Sequence, residues 1–385
     1  MSGVPVVFTA SIGKGHDQAA LALRKELEAR GYSRVTVIDT LHWLHPLLHH
    51  SIRMSYTWLL RYRPEIWGKL FSENFQSSRW LDSYEKMIRL FTKQVERFIT
   101  QESPPFIIST HPLATLLLAL AKEKQGCDIP LYSVVTDFQL HRAYVHKQVN
   151  RYFTIDEQAP RFAIQNGLSP TLFHVSGIPF PTEPPTPLEA ALFREKQNVP
   201  LDRATVLVAG GGFGISSYET ILEELECIDK QLTILCMTGR NEQAARKINS
   251  VSTKHEVRII PYTAHFVSYM AISDVMITKA GGLTLSEALA CEIPLVLYEP
   301  IPGHEEQNAN IVVEWGLALR AFTRRQISEQ TALILSNQRV KEKMIQSAKK
   351  RKKPYAAREI INTITLGQHH AADVAHAGAL SKGSG

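Results

Sequence analysis

One pattern limits the folds open to this chain more than any other: a short apolar run, a glycine turn and a helix start, in immediate succession. Asp274-Val275-Met276-Ile277-Thr278 is followed by Gly281-Gly282 and then by Leu283, Leu285, Ala288 and Leu289 at helical spacing. Two adjacent glycines at such a junction let backbone N–H groups converge, and the helix start adds partial positive charge. An anion, most commonly phosphate, suits that junction.

The same grammar recurs. Val4 to Thr9 reads as a buried strand, Ala10 to His16 as its glycine loop, residues 17 to 30 as a helix and Val35 to Asp39 as the next strand. After an interruption the alternation resumes with Phe106 to Ser109, Leu131 to Thr136, Arg151 to Ile155 and His174-Val175. Pro179, Pro181, Pro184, Pro185 and Pro187 then mark a linker, and Thr205 to Ala209, Leu232 to Met237, Val257 to Ile260 and Leu295 to Leu297 restart the pattern. This predicts an α/β chain of two doubly wound, Rossmann-like domains facing a cleft, with ligands at the carboxyl ends of the strands. The expected boundaries are 1–180 for an N-terminal domain, with an insertion at about 42–100, and 188–354 for a C-terminal domain. Residues 355–366 read as a final helix returning to the first domain, and 367–385 as a disordered tail.

A chain of 385 residues fits two such cores. The net charge of +6 is spread over both halves, which does not favour bulk nucleic-acid binding. One late segment is locally basic: Arg339, Lys341, Lys343, Lys349, Lys350, Arg351, Lys352, Lys353 and Arg358. The four cysteines are scattered without a CxxC pair, as expected of a reduced, cytosolic protein without structural zinc. No basic, apolar leader opens the sequence, and the longest apolar run, Leu113 to Ala121, is too short to span a bilayer. Any membrane contact is therefore expected from the surface.

Several residues carry candidate chemistry. Gly210-Gly211-Gly212-Phe213-Gly214 follows a strand but is not GxGxxG, and no acidic residue closes the next strand, so a dinucleotide site is disfavoured. Arg240, after another strand, brings bidentate donors suited to phosphate, although an ordinary surface arginine has the same sequence appearance. Glu287 lies a turn beyond Gly282, where a carboxylate suits sugar hydroxyls. His304, Glu305, Glu306, Gln307, Asn308 and Asn310 form a polar cluster that either recognises hydroxyls or is a solvated helix start. His16 stands at the start of the first helix, where the dipole disfavours imidazolium and keeps the ring ready to accept a proton; a capping or packing role is the alternative. Asp137 and His141 point to the same cleft and could orient or replace His16, and His111 is a further candidate with an acceptor-side or structural role. Trp43, Arg53, Trp58, Arg61, Arg63 and Trp67 interleave aromatic and basic side chains, as an anionic membrane surface or an ordinary helical insertion would.

Taken together, Gly13-Lys14-Gly15-His16, Thr136-Asp137, Gly239-Arg240-Asn241, Thr278 to Thr284 with Glu287, and Pro302-Gly303 with Glu305 to Asn310 resemble the monogalactosyldiacylglycerol synthase and processive diacylglycerol glucosyltransferase family. That family is similar to the peptidoglycan N-acetylglucosaminyltransferase. The resemblance runs over about residues 4 to 365. It implies a GT-B fold, a UDP-hexose donor, diacylglycerol as acceptor, no cofactor or essential metal, and inversion at the anomeric carbon. It further implies that His16, or Asp137 in its place, is the base on the lipid hydroxyl. The diphosphate would lie near Gly212, Phe213, Arg240, Gly281, Gly282, Leu283 and Thr284, and the ribose on Glu287. The uracil would meet the backbone around Ile260, Tyr262 and Thr263, and the hexose would meet Glu305, Gln307 and Asn308. Lys14 replaces a glycine found in several relatives, and His304 stands where relatives often carry Gln, leaving glucose and galactose both open. Anionic lipids at the cytoplasmic face of the membrane are the expected setting. A UDP-sugar 2-epimerase and a non-catalytic nucleotide-sugar sensor are the rival readings.

Overall fold

A computed structural model describes residues 3–45, 79–165, 167–211 and 217–366, together with His50, Met54, Ser55, Trp58, Leu59 and Arg63. The expectations for Arg53, Arg61, Trp67, Gly212, Phe213 and the tail 367–385 lie outside those residues.

The described chain forms two six-stranded parallel sheets. The first joins β1 (Val6–Thr9), β2 (Thr36–Asp39), β3 (Ile107–Ser109), β4 (Leu131–Val134), β5 (Arg151–Thr154) and β6 (Phe173–Val175) in the order β2-β1-β3-β4-β5-β6. The second joins β7 (Thr205–Ala209), β8 (Thr233–Gly239), β9 (Glu256–Pro261), β10 (Val275–Thr278), β11 (Leu295–Tyr298) and β12 (Ala318–Ala321) in the order β12-β11-β10-β7-β8-β9. The winding direction reverses between β1 and β3 and again between β7 and β10. At each reversal the following connections run to opposite faces, leaving a crevice at the strands' carboxyl ends.

The central strands β1, β7, β10 and β11 are buried on both faces, which explains their near-continuous apolar composition. Helices cover both sides. On one face of the first sheet, Leu113 to Ala121 of the helix Pro112–Gln125 pack with Val95 and Ile99. On the other, Ala20, Leu23 and Leu27 of the helix Lys14–Ala29 pack with Ile360, Ile361 and Ile364 of a helix at 356–366. The chain thus crosses between domains twice, after β6 and again near 352–356. The two crossings touch: Gly177 adopts φ +86°, and a Cβ there would overlap the Lys353 side chain.

Two details depart from the sequence reading. The first helix begins at Lys14, which makes Gly13 its N-cap and puts His16 in its first turn. A final strand, β12, extends the second sheet by pairing with β11 in the register Leu295↔Ala318; its four residues include Arg320 and give no clear apolar alternation. Among the described residues no helix is long and apolar enough to cross a membrane.

Candidate active site

The N-terminal part of the site lies at the β1–β3 crevice. Gly13 is extended and supplies no side-chain cap, so the first helix opens with unsatisfied N–H groups. His16 Nδ1 is 2.8 Å from the Thr110 carbonyl and 2.6 Å from Thr136 Oγ1. A carbonyl can only accept, so the neutral ring carries its proton on Nδ1 and leaves the Nε2 lone pair available. Burial lowers the His16 pKa, against opposing pulls from Asp137, the Thr110 carbonyl and Asp17. The ring is therefore neutral at neutral pH.

The neighbouring groups are held by partners of their own. Burial pushes the Asp137 carboxyl up, but His304, His141, His16 and the Asn308 amide outweigh it and keep the carboxyl below its ordinary value. His141 Nε2 lies 3.8 Å from Asp137 Oδ2 and is itself shifted down by burial. His111 accepts from the Leu113 N–H at 3.1 Å, capping the helix Pro112–Gln125, while its ring meets that of His16 edge-on at 4.4 Å. Burial holds its pKa well below the ordinary imidazole value. Asp17 accepts from Thr9 and Ser11 hydroxyls, which fixes the loop ahead of the helix.

The C-terminal part lies beyond β10 and β11. Gly281 N-caps the helix Gly282–Ala290, and Gly303, at φ 96°, N-caps the helix His304–Glu314; neither offers a side-chain cap. Four other helices of this half begin on capping side chains, Thr186, Asn241, Thr323 and Asn337, whereas Ser217 and His265 make no side-chain cap. Glycine caps at the cleft leave helix-start N–H groups for an anion. Glu287 is buried, and burial alone raises its carboxyl to about 8. Glu305 is also raised by burial, against pulls from His304, the Ile301 N–H and Lys279; Ile301 N–H donates to it at 2.8 Å. The Gln307 Oε1 atom is buried without a hydrogen-bond partner among the described residues. At the far edge of the same sheet, Arg240 lies over the Tyr262 ring at 5.0 Å, and that ring is 60% exposed. Ile260 and Thr263 flank it and are partly buried. Three strand spacings separate β10 from β9, about 14 Å, so a ligand touching both ends must be extended.

The two parts meet directly. A Cβ on Gly282 would overlap the Thr136 carbonyl oxygen and lie 3.4 Å from the Asp137 Cα, so only glycine permits this approach. A Cβ on Gly15 would lie 3.5 Å from the Leu283 Cβ, an ordinary contact that brings the two helix starts side by side. The Asn308 amide spans the junction: Oδ1 accepts from the Phe138 N–H at 3.0 Å and Nδ2 donates to the Ala280 carbonyl at 3.1 Å. Phe138 also packs on Trp315 at 5.5 Å. Two uncapped helix starts therefore confront each other with His16, Asp137 and His304 between them.

Residues 16–180 match the family model for monogalactosyldiacylglycerol (MGDG) synthase, and residues 205–360 match the glycosyltransferase family 28 C-terminal domain. Between them the two matches span both halves of the chain and mark it as a glycosyltransferase. Among curated proteins, this glycosyltransferase is 24% identical over 363 residues to the processive diacylglycerol beta-glucosyltransferase of Bacillus pumilus, covering 93% of this chain and 94% of that protein. The Bacillus subtilis protein of the same name is also 24% identical, with 86% and 87% covered. Among solved structures it is similar to Acinetobacter baumannii MurG, with a TM-score of 0.62 at 15% identity over 94% of this chain and 99% of that one. It is equally similar to a Staphylococcus aureus MnaA–UDP structure, with a TM-score of 0.61 at 15% identity over 95% and 97%. The fold is GT-B.

Within this glycosyltransferase, the structure gathers His16, Asp137, His141, Gly281, Gly282, Glu305, Gln307 and Asn308 at one junction, with Arg240 and Tyr262 at the sheet's far edge. Trp43 is half-buried and packs edge-on against Phe8 at 5.9 Å and Phe98 at 5.6 Å. The Asn308 amide has partners in both halves of the chain. Trp58 and Arg63 are exposed. Sequence reasoning passed over Thr110 and the role of Thr136; a threonine at the end of each of two adjacent strands was the available signal. Among the described residues no group of three or more His, Cys, Asp or Glu is arranged to hold a metal ion.

Proposed function

We propose that this glycosyltransferase moves a hexose from a UDP-sugar to the 3-hydroxyl of diacylglycerol, with inversion, as a peripheral protein of the cytoplasmic membrane face. The observation that carries the reading is the His16 tautomer: Nδ1 is bound to a carbonyl, and Nε2 is left as the base beside two uncapped helix starts. The acceptor class comes from the names of the relatives, and those names favour glucose over galactose. In the reaction, the lipid oxygen attacks the sugar C1 and its proton passes to His16 Nε2. The bond from C1 to the diphosphate oxygen breaks, and its electron pair leaves with UDP. Asp137 stabilises the imidazolium that forms. The N–H groups at Gly281 to Thr284 stabilise the departing diphosphate, together with Arg240, Gly212 and Phe213. Glu287 holds the ribose, the backbone at Ile260 to Thr263 the uracil, and Glu305 and Gln307 the hexose. Asn308 acts indirectly, by keeping the glycine turn against Asp137.

The test is to offer radiolabelled UDP-glucose and UDP-galactose separately with diacylglycerol vesicles and to resolve the lipid products. Glucolipid formation is expected. A new UDP-sugar from UDP-GlcNAc alone would instead mark a 2-epimerase, and UDP binding by calorimetry without any transfer would mark a sensor.

A further inference from the structure

The basic segment noted in the sequence folds into the helix Gln338–Arg351, and its cations divide into two sets. On one side Lys341 pairs with Asp274 at 2.8 Å, while Lys349 and Lys352 pair with Glu292 at 3.7 and 2.7 Å. Arg339, Lys343 and Lys350 lie on another face, at i, i+4 and i+11, and form no ion pair among the described residues. Together with Arg351 and Trp315 they line an open groove of about 450 Å³. Arg351 lies over the Trp315 ring at 5.2 Å, and the one acidic residue of the groove, Glu342, accepts from the Gln338 amide at 3.0 Å.

We infer that this groove seats the phosphates of anionic lipid headgroups and holds the protein on the bilayer. Its cations stand about one to two turns apart along roughly 16 Å of helix, a spacing that suits a row of headgroups better than the convergent donors one small anion needs. Arginine, lysine and tryptophan together are the side chains that settle at an anionic interface. The groove also ends at the domain junction, because Trp315 packs on Phe138, next to Asp137. Adsorption through this face therefore keeps the cleft beside the surface from which a lipid acceptor arrives. The inference rests on the reading that the acceptor is a membrane lipid.

The experiment compares sedimentation of the full chain with phosphatidylcholine vesicles and with phosphatidylcholine–phosphatidylglycerol vesicles. The test variant is Arg339→Ala/Lys343→Ala/Lys350→Ala, and a charge-matched control is Lys230→Ala/Arg246→Ala/Lys254→Ala, three exposed positions outside the groove. The groove variant is expected to lose about 100-fold in partitioning to the anionic vesicles, roughly fivefold per charge, with the control near wild type. Equal losses in both variants, or none in the groove variant, would overturn the inference. So would a groove variant that loses calorimetric binding of inorganic phosphate yet keeps its vesicle binding, since the ligand is then a soluble anion. A milder Lys343→Gln/Lys350→Gln pair, checked by thermal melting, covers misfolding of the triple variant. Transfer to diacylglycerol in detergent micelles is measured in parallel: its absence in wild type would sink the proposed reaction, whereas its persistence beside unchanged vesicle binding would sink only the groove.

Discussion

The two ends of the cleft are built differently. On the N-terminal side three side chains are anchored by protein partners: His16 by Thr110 and Thr136, His111 by a backbone N–H, Asp137 by surrounding imidazoles and an amide. On the C-terminal side Glu287 is buried with its carboxyl raised to about 8, Glu305 is raised as well, and Gln307 Oε1 has no partner among the described residues. Orienting a proton acceptor before substrate arrives demands a closed network, since a wandering imidazole gives no directed transfer. A surface that receives a polar ligand gains from the opposite condition, because unmet groups find their partners only when the ligand binds. Under the proposed reaction, the contrast separates a part that would perform chemistry from a part that would receive the donor.

The strongest way to break this comparison is at His16. His16→Ala should lower turnover by about 10²- to 10⁴-fold while leaving UDP binding by calorimetry intact. Near-normal turnover would transfer the role to Asp137. In the wild type the base works neutral, and burial lowers its pKa, so the acid limb of the kcat/KM profile should fall below the ordinary imidazole value of 6.5. A limb above that value would remove His16 from the role.

The next effect belongs to the waiting side. A carboxyl at about 8 in the folded chain, against an ordinary 4.5, makes folding least favourable once it ionises. The contribution of this one carboxyl to the stability of the ligand-free protein should therefore be full below pH 4.5 and be lost as pH rises through about 8. Glu287→Gln should flatten that decline by up to a few kcal/mol, measured as denaturant midpoints on either side of it, and weaken donor binding at the same time. An unchanged pH dependence would mean that Glu287 is not desolvated. Smallest is Gly282→Ala, which puts a methyl group against the Thr136 carbonyl. It should strain the junction by about 1–3 kcal/mol, visible as a wider cleft in solution scattering with both domains still folded. A cleft of unchanged width would show that the close approach is dispensable.

Much of the architecture was legible because parallel, doubly buried strands and glycine turns leave strong one-dimensional signals. The runs at Val6, Thr205 and Val275, each ending in a glycine loop, specify two wound sheets. Strand β12 was not legible, since four residues with an arginine among them depend on their neighbour for definition. The group around His16 was partly legible, as polar residues at strand ends. Its tautomer was not, because that depends on a carbonyl 94 positions away, and backbone groups have no sequence signature. The cross-domain partners of Asn308 were not legible for a related reason: composition announces a polar side chain but not which groups it meets. The packing of Trp43 on Phe8 was not legible either, since an aromatic near basic residues has the same sequence appearance in either setting.

The two chain crossings that touch at Gly177 and Lys353 have a mechanical consequence. A body joined to another by one strand can swivel, twist and slide. Joined by two strands pressed together, it keeps mainly rotation about the line they define, as the leaves of a book turn about the spine. Any opening of the cleft would then be confined to an angle about that line, which would keep His16 and the Gly281 turn laterally aligned.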